Sequence, residues 1–219
     1  MQTMKLSELR QLPNLVSLSR IALIPLLGYY LASDAPHAVA VCVGLISLAG
    51  ITDGLDGILA RRLGQITPLG IALDPIADKI FAGALVILLV IFRQFPIWLA
   101  SVIVGRDLII LLAGLILLKD KEVVIPSNLT GKYTFAALVV LLLSYVMRFD
   151  FGIAVMTWIA LVLIAVSVCG YARVFQRVRS GRPAPVFADK PVYRWLRIVV
   201  TVFISMAWLL RFATDVLGL

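Results

Sequence analysis

The sequence predicts an all-α membrane protein, a helical bundle of six transmembrane helices preceded by a short amphipathic helix on the bilayer surface. Three observations predict it. Of the 219 residues, 62% are hydrophobic and only 15% charged, against roughly 45–50% and about 25% in soluble domains. The apolar residues gather into six runs near the length a helix needs to cross a bilayer, about 20 residues. Lys and Arg fall on alternate connections between those runs. This composition excludes a water-soluble globule and a disordered chain. The formal charge of +8 is accordingly assigned to anionic lipid headgroups and cytoplasmic loops, and no nucleic-acid partner is expected.

The first element, Lys5–Leu12, sets Leu6, Leu9 and Leu12 among Lys5, Glu8 and Arg10, as a surface-lying helix does. The six spans follow as Leu15–Ala32, His37–Leu59, Leu69–Phe92, Ile97–Leu118, Tyr133–Met147 and Ile153–Phe175. Polar and Pro-containing breaks separate them, among them Ser33-Asp34-Ala35-Pro36 and Arg148-Phe149-Asp150. Arg20 interrupts the first run, which is long for a signal peptide, so that helix is read as uncleaved. One set of connections carries Lys5, Arg10, Arg61, Arg62, Lys119, Lys121, Lys132, Arg173, Arg177, Arg179, Arg182 and Lys190, while the alternate set carries only Arg93 and Arg148. The positive-inside rule then puts the N-terminus and the Arg173–Lys190 stretch in the cytoplasm. The sequon Asn128-Leu129-Thr130 falls on that side and is read as unmodified.

Residues 1–190 are expected to form one membrane domain and 191–219 an apolar helical tail. Its run Ile198–Leu210, between Arg197 and Arg211, is 13 residues long, short for a span. A surface helix, a helix packed on the bundle and a seventh span all fit it. Cys42 and Cys169 both lie in apolar runs and read as packing residues. With His37 the only histidine, imidazole-based metal or triad chemistry has little to work with.

Four carboxylates carry the chemistry. Charged groups at membrane depth cost several kcal/mol unless compensated, so they mark function. Asp53 and Asp56 are three apart and Asp74 and Asp78 four apart, so each pair shares a helix face. The two helices are antiparallel about a cytoplasmic turn. Asp53 lies eight residues before Arg61, about 12 Å in; Asp74 and Asp78 lie six and ten residues beyond Pro68, about 9–15 Å in. All four can therefore meet at one depth. Such a cluster would repel itself unless divalent cations neutralised it. All-oxygen ligation selects Mg²⁺ or Mn²⁺, and two ions about 3.5–4 Å apart suit an in-line displacement at phosphorus. Small residues (Gly54, Gly57, Ala60, Gly70, Ala77) mark the same faces. They serve close helix packing, close approach of a nucleotide, or both.

The stretch Asp53–Asp78 reads D-x2-D-G-x2-A-R-x8-G-x3-D-x3-D. It resembles, without deviation, the motif of the CDP-alcohol phosphotransferase family, and the six-span layout extends the likeness over about residues 10–180. The resemblance implies a homodimer with six transmembrane helices per subunit and a Mg²⁺- or Mn²⁺-dependent site open to the cytoplasm. It implies transfer of a phosphatidyl or similar group from a CDP-linked donor, here CDP-diacylglycerol, to an alcohol, releasing CMP. Asp53, Asp56 and Asp74 match metal-ligand positions. Asp78 matches the last aspartate, a position for a metal ligand and for the general base on the acceptor hydroxyl. Asp53, Asp56, Gly57, Ala60 and Arg61 match the positions around the CDP moiety, where Gly70 permits close approach of the second helix. A multi-pass protein of a bacterial inner membrane is the corresponding location.

Three cations at similar depth are candidates for a phosphate on the acceptor: Arg20, Arg106 and Lys132, since guanidinium groups bind phosphate bidentately. Leu12-Pro13-Asn14 through Arg20, Gly105-Arg106-Asp107 and Gly131-Lys132 resemble the phosphatidylglycerophosphate synthase and single-domain cardiolipin synthase branch of the family. Glycerol 3-phosphate is the expected acceptor, and phosphatidylglycerol the alternative. Tyr133-Thr134-Phe135 lacks further polar residues expected of the first group, and Asp107, Ser19-Arg20-Ile21 and Leu27-Gly28-Tyr29 lean toward the second. Inositol phosphate and serine fit the N-terminal pattern less well. A transporter is the alternative of another class, but no internal repeat is seen and the acids gather near one face. A non-catalytic subunit would have no use for four buried negative charges.

Overall fold

The structure, a computed structural model, describes residues 12–62, 68–121 and 129–180, with single positions 206, 210 and 213 beyond them. Its described regular structure is all helical, with short turns at 33–37, 93–96 and 147–149. Six helices run as α1 (Leu12–Ala32), α2 (Ala38–Arg62), α3 (Pro68–Phe92), α4 (Ile97–Lys121), α5 (Leu129–Val146) and α6 (Asp150–Arg179). The all-α expectation holds, with each helix on its expected apolar run. The surface helix expected over Lys5–Leu12 lies outside the described residues but for Leu12, which opens α1. The tail 191–219 lies outside them as well, apart from the three single positions.

The helices overrun the expected spans at their charged ends. α2 continues to Arg62, α4 to Lys121 and α6 from Asp150 to Arg179, while α5 starts four residues early at Leu129. Hydropathy reads the depth of the apolar slab, whereas backbone hydrogen bonding continues through Lys and Arg side chains that suit a helix C-terminus. α6 shows this directly, with Asp150 in its first turn and Arg177 and Arg179 in its last.

Two helices among the described residues, Asn14–Ala32 and Asp150–Arg179, are long and apolar enough to cross a membrane, and most of their side chains lie outside the protein interior. Charged residues also fall within the other helices: Asp53, Asp56, Arg61 and Arg62 in α2, Asp74, Asp78 and Lys79 in α3, Arg106 and Asp107 in α4, and Lys132 in the 18-residue α5. α6 is apolar all round. It buries Met156, Ala160, Ile164, Val174 and Val178 and exposes Trp158, Val162 and Val166, which suits a helix with lipid on its outer side.

Two compact units divide the chain, residues 1–100 and 101–219. In the first, α1 packs against both α2 and α3, around Leu27, Leu31, Cys42, Leu85 and Leu89. Gly28 lets α3 approach: a Cβ built there would lie 3.3 Å from Leu88 Cδ2. Arg93, just past α3, donates to the Leu31 carbonyl at 3.0 Å and the Phe92 carbonyl at 3.1 Å. It thus closes the C-terminal ends of α1 and α3 together. α3 ends with Gln94 left-handed at φ 53° and the Phe95 amide reaching back to the Leu89 carbonyl at 3.2 Å.

In the second unit α5 packs along α6. α5 ends in a Schellman motif. Arg148 is left-handed at φ 54°, its amide bonds the Tyr145 carbonyl, and the next amide, of buried Phe149, bonds the Ser144 carbonyl. Thr134, fully buried, directs its hydroxyl at the Thr130 carbonyl (2.7 Å) and the Leu163 carbonyl of α6 (3.2 Å), tying the two helices where apolar packing alone would let them slide.

Candidate active site

The acidic motif sits on the helices expected of it. Asp53 and Asp56 belong to α2, and Asp74 and Asp78 to α3, so each pair keeps the three- or four-residue spacing that shares a helix face. The side chains of Asp53, Asp56, Gly57, Ala60, Arg61 and Asp74 lie outside the described ones. Among the described residues no group of three or more His, Cys, Asp or Glu side chains is gathered. What the structure places is Asp78, its side chain 43% exposed, together with the helix register of the other three acids. Gly70 is half-buried on α3.

Asp78 has a partner that the sequence spacing did not reveal. Arg20 of α1 donates to its Oδ1, and Arg20 is the largest fully buried side chain described. Sequence reading set Arg20 beside Arg106 and Lys132 as an acceptor-phosphate group; the structure sets it on the last aspartate of the motif. Asn14, Ser17 and Arg20 are all buried and occupy one face of α1, a polar stripe that continues as apolar Leu27 and Leu31. Sequence reasoning used Asn14 and Ser17 only within the N-terminal pattern and gave neither a place in the site. Polar residues at i, i+3 and i+6 in an apolar helix were the available signal.

By residue type the motif supplies only carboxylate oxygens, the donor set of hard ions, while the interior guanidinium of Arg20 already offsets the charge of one of them, Asp78. The residues present therefore fit Mg²⁺ or Mn²⁺.

A second cluster lies in the other unit. Arg106 of α4, 11% exposed at its side chain, donates from Nη1 to Asp107 Oδ1 at 2.6 Å and from Nη2 to Ser167 Oγ of α6 at 3.1 Å. Ser167 is fully buried, a lone hydroxyl in the otherwise apolar inner stripe of α6. A Cβ at Gly131, in the first turn of α5, would stand 3.3 Å from the Tyr171 hydroxyl and 3.9 Å from Arg106 Nη2. Lys132 follows Gly131 and is exposed. Arg106 and Lys132 thus fall at the same end of α5, with Ser167 and Tyr171, which sequence reading did not single out.

Comparison with known proteins places these residues in context. The family model described as CDP-alcohol phosphatidyltransferase matches residues 10–169. A cardiolipin synthase (CMP-forming) of Rattus norvegicus is 38% identical over 123 residues, 56% of this chain and 39% of that protein. A CDP-diacylglycerol–glycerol-3-phosphate 3-phosphatidyltransferase of Bacillus subtilis is 38% identical over 133 residues, 55% of this chain and 68% of the relative. The Aquifex aeolicus protein of the same name is 34% identical over 169 residues, 73% of this chain and 92% of the relative. The chain spans only about two fifths of the length of the animal cardiolipin synthases it matches.

Proposed function

The chain belongs to the CDP-alcohol phosphatidyltransferase family, and on that premise we propose that it transfers a phosphatidyl group from CDP-diacylglycerol to a hydroxyl of a glycerol-based acceptor, releasing CMP. Glycerol 3-phosphate is the first acceptor, giving phosphatidylglycerophosphate. Phosphatidylglycerol is the second reading, favoured by the relatives named cardiolipin synthase. The observation that carries the proposal is the unbroken eight-position motif on α2 and α3, with Asp78 of α3 held by an interior arginine.

Each residue then has a task. Asp78 takes the proton of the acceptor hydroxyl as its oxygen bonds to the lipid-side phosphorus, and the bond from that phosphorus to the CMP oxygen breaks. Arg20 orients the Asp78 carboxylate for this. Asp53, Asp56, Asp74 and Asp78 would hold one or two Mg²⁺ or Mn²⁺ ions, which when bound polarise the pyrophosphate and offset charge on departing CMP. Gly57, Ala60, Arg61 and Gly70, with Asp53 and Asp56, are the positions for the CDP moiety. Arg106 and Lys132 hold the acceptor's phosphate.

A lipid donor explains why the acids sit on apolar helices: acyl chains remain in the leaflet while the nucleotide head reaches polar groups. We accordingly read all six helices as spans, the protein as a homodimer in a bacterial inner membrane, residues 1–190 as the catalytic domain, and 191–219 as its tail. The all-round apolar surface of α6 supports the membrane reading.

The test is CMP release by purified protein given CDP-diacylglycerol and Mg²⁺, with glycerol 3-phosphate, phosphatidylglycerol, inositol phosphate or serine supplied singly. Release with a glycerol-based acceptor is expected. Release only with serine or inositol phosphate would overturn the acceptor assignment, and none with any would overturn the reaction.

A further inference from the structure

The Arg106 cluster holds more hydrogen-bond donors than the protein uses. A guanidinium offers five N–H donors. Asp107 takes one on Nη1 and Ser167 one on Nη2, while Arg106 Nε is buried with no hydrogen-bond partner. The hydroxyl of Tyr171 faces the bare backbone of Gly131, close to the same Nη2. Arg106, Ser167 and Tyr171 lie 15, 12 and 8 residues inside the ends of α4 and α6 at Lys121 and Arg179. At 1.5 Å per residue that is about 12–22 Å, so the first turn of α5 opens beneath the ends of its neighbours. Such a recess, rich in donors and bare of a side chain at position 131, suits a group with several acceptor oxygens and little bulk.

We infer that α6 supplies two specificity-determining groups to the acceptor, Tyr171 and Ser167, with Gly131 keeping the recess open. The Tyr171 hydroxyl donates to a phosphate oxygen of a glycerophosphate group. Ser167 is a positioning residue: by accepting from Nη2 it turns the Arg106 fork so that the remaining Nη N–H groups face the phosphate. Gly131 is glycine because a methyl there would press on the Tyr171 hydroxyl at 3.3 Å. The inference rests on the proposed reaction for the identity of the ligand, and on the donor surplus for its phosphate.

Glycerophosphate can arrive as soluble glycerol 3-phosphate or as the headgroup of phosphatidylglycerol, and the assay separates them. With full-length protein in nanodiscs, binding of glycerol 3-phosphate is measured without donor lipid, and the KM of each acceptor and of CDP-diacylglycerol is measured by CMP release. A lost hydrogen bond to a charged group predicts that Tyr171→Phe weakens glycerophosphate binding about ten- to hundredfold, with the donor KM within about twofold. Ser167→Ala should raise the same acceptor KM by a smaller factor. Gly131→Ala should mimic Tyr171→Phe, and the double variant should be no worse than Tyr171→Phe alone, since removing the hydroxyl makes room for the methyl. A split seen with only one of the two acceptors identifies the source and supports the recess. Turnover with Tyr171→Phe unchanged in both acceptor KM values, or with donor and acceptor KM rising together, would overturn the inference and leave the reaction standing. Tyr171-dependent glycerol 3-phosphate binding without any CMP release would support the recess and overturn the reaction.

Discussion

Removing one partner of the Arg20–Asp78 pair should cost more in one direction than in the other. Arg20 is 2% exposed at its side chain and Asp78 43%. In Asp78→Asn the guanidinium stays buried without this carboxylate; a fully buried pair broken in that way costs about 3–5 kcal/mol, which the other interactions of Arg20 and the exposure of Asp78 bring to about 2–4 kcal/mol. In Arg20→Met most of the side-chain volume is kept and the carboxylate left behind is close to half exposed, so water replaces much of what it loses. A cost of about 1–2 kcal/mol follows after that discount. For a chain of this size each kcal/mol moves Tm by about 2–4 °C, so Asp78→Asn should melt a few degrees below Arg20→Met. The double variant closes a cycle, with an expected coupling of about 1–3 kcal/mol. Thermal unfolding of the four proteins in one detergent reads the stabilities, and CMP release reads function: Asp78→Asn should abolish turnover, Arg20→Met only reduce it. Additivity within about 0.5 kcal/mol, or the reverse order of Tm, would refute the pairing as the reason Arg20 is buried.

Three further perturbations follow from the packing. Gly28→Val should destabilise by about 1–3 kcal/mol, because even a Cβ meets Leu88 of α3 at 3.3 Å; an unchanged Tm would mean that α1 and α3 do not approach there. Thr134→Val should cost about 1 kcal/mol while Thr134→Ser costs little in hydrogen bonding, since the hydroxyl serves the Thr130 and Leu163 carbonyls; a stable Thr134→Val beside a destabilised Thr134→Ser would assign the role to the methyl. Gln94→Gly should be neutral to stabilising by up to about 1 kcal/mol, as the position is left-handed at φ 53°, and unfolding in detergent would show a loss if the Gln94 side chain mattered instead.

The helices were legible because runs such as Ile153–Phe175 are too apolar and too long for anything else, and their boundaries moved by a few residues, most at the ends where Lys and Arg continue the backbone past the apolar slab. Two turns were not legible. Gln94 and Arg148 occupy left-handed positions where the usual sequence cue, glycine, is missing. Within the site, spacing along α2 and α3 gave depth and face for the four aspartates, which is information local to each helix. It could not say that Arg20, 58 residues before Asp78, would turn onto that carboxylate, since which faces meet depends on how helices pack. Ser167 and Tyr171 were hidden for the same reason: a serine in an apolar stripe reads as a tolerated small residue until Arg106 is seen to end on it.

The account rests on the aspartates of α2 and α3 gathering around hard cations, and Mn²⁺ binding followed by electron paramagnetic resonance tests that without any turnover. Full-length protein should bind Mn²⁺ in competition with Mg²⁺. Binding should be lost in Asp56→Asn and Asp74→Asn and kept in Asp34→Asn, whose carboxylate lies in the loop between α1 and α2. Equal Mn²⁺ binding by all four proteins would contradict the account, because the ion would then be held somewhere other than the motif.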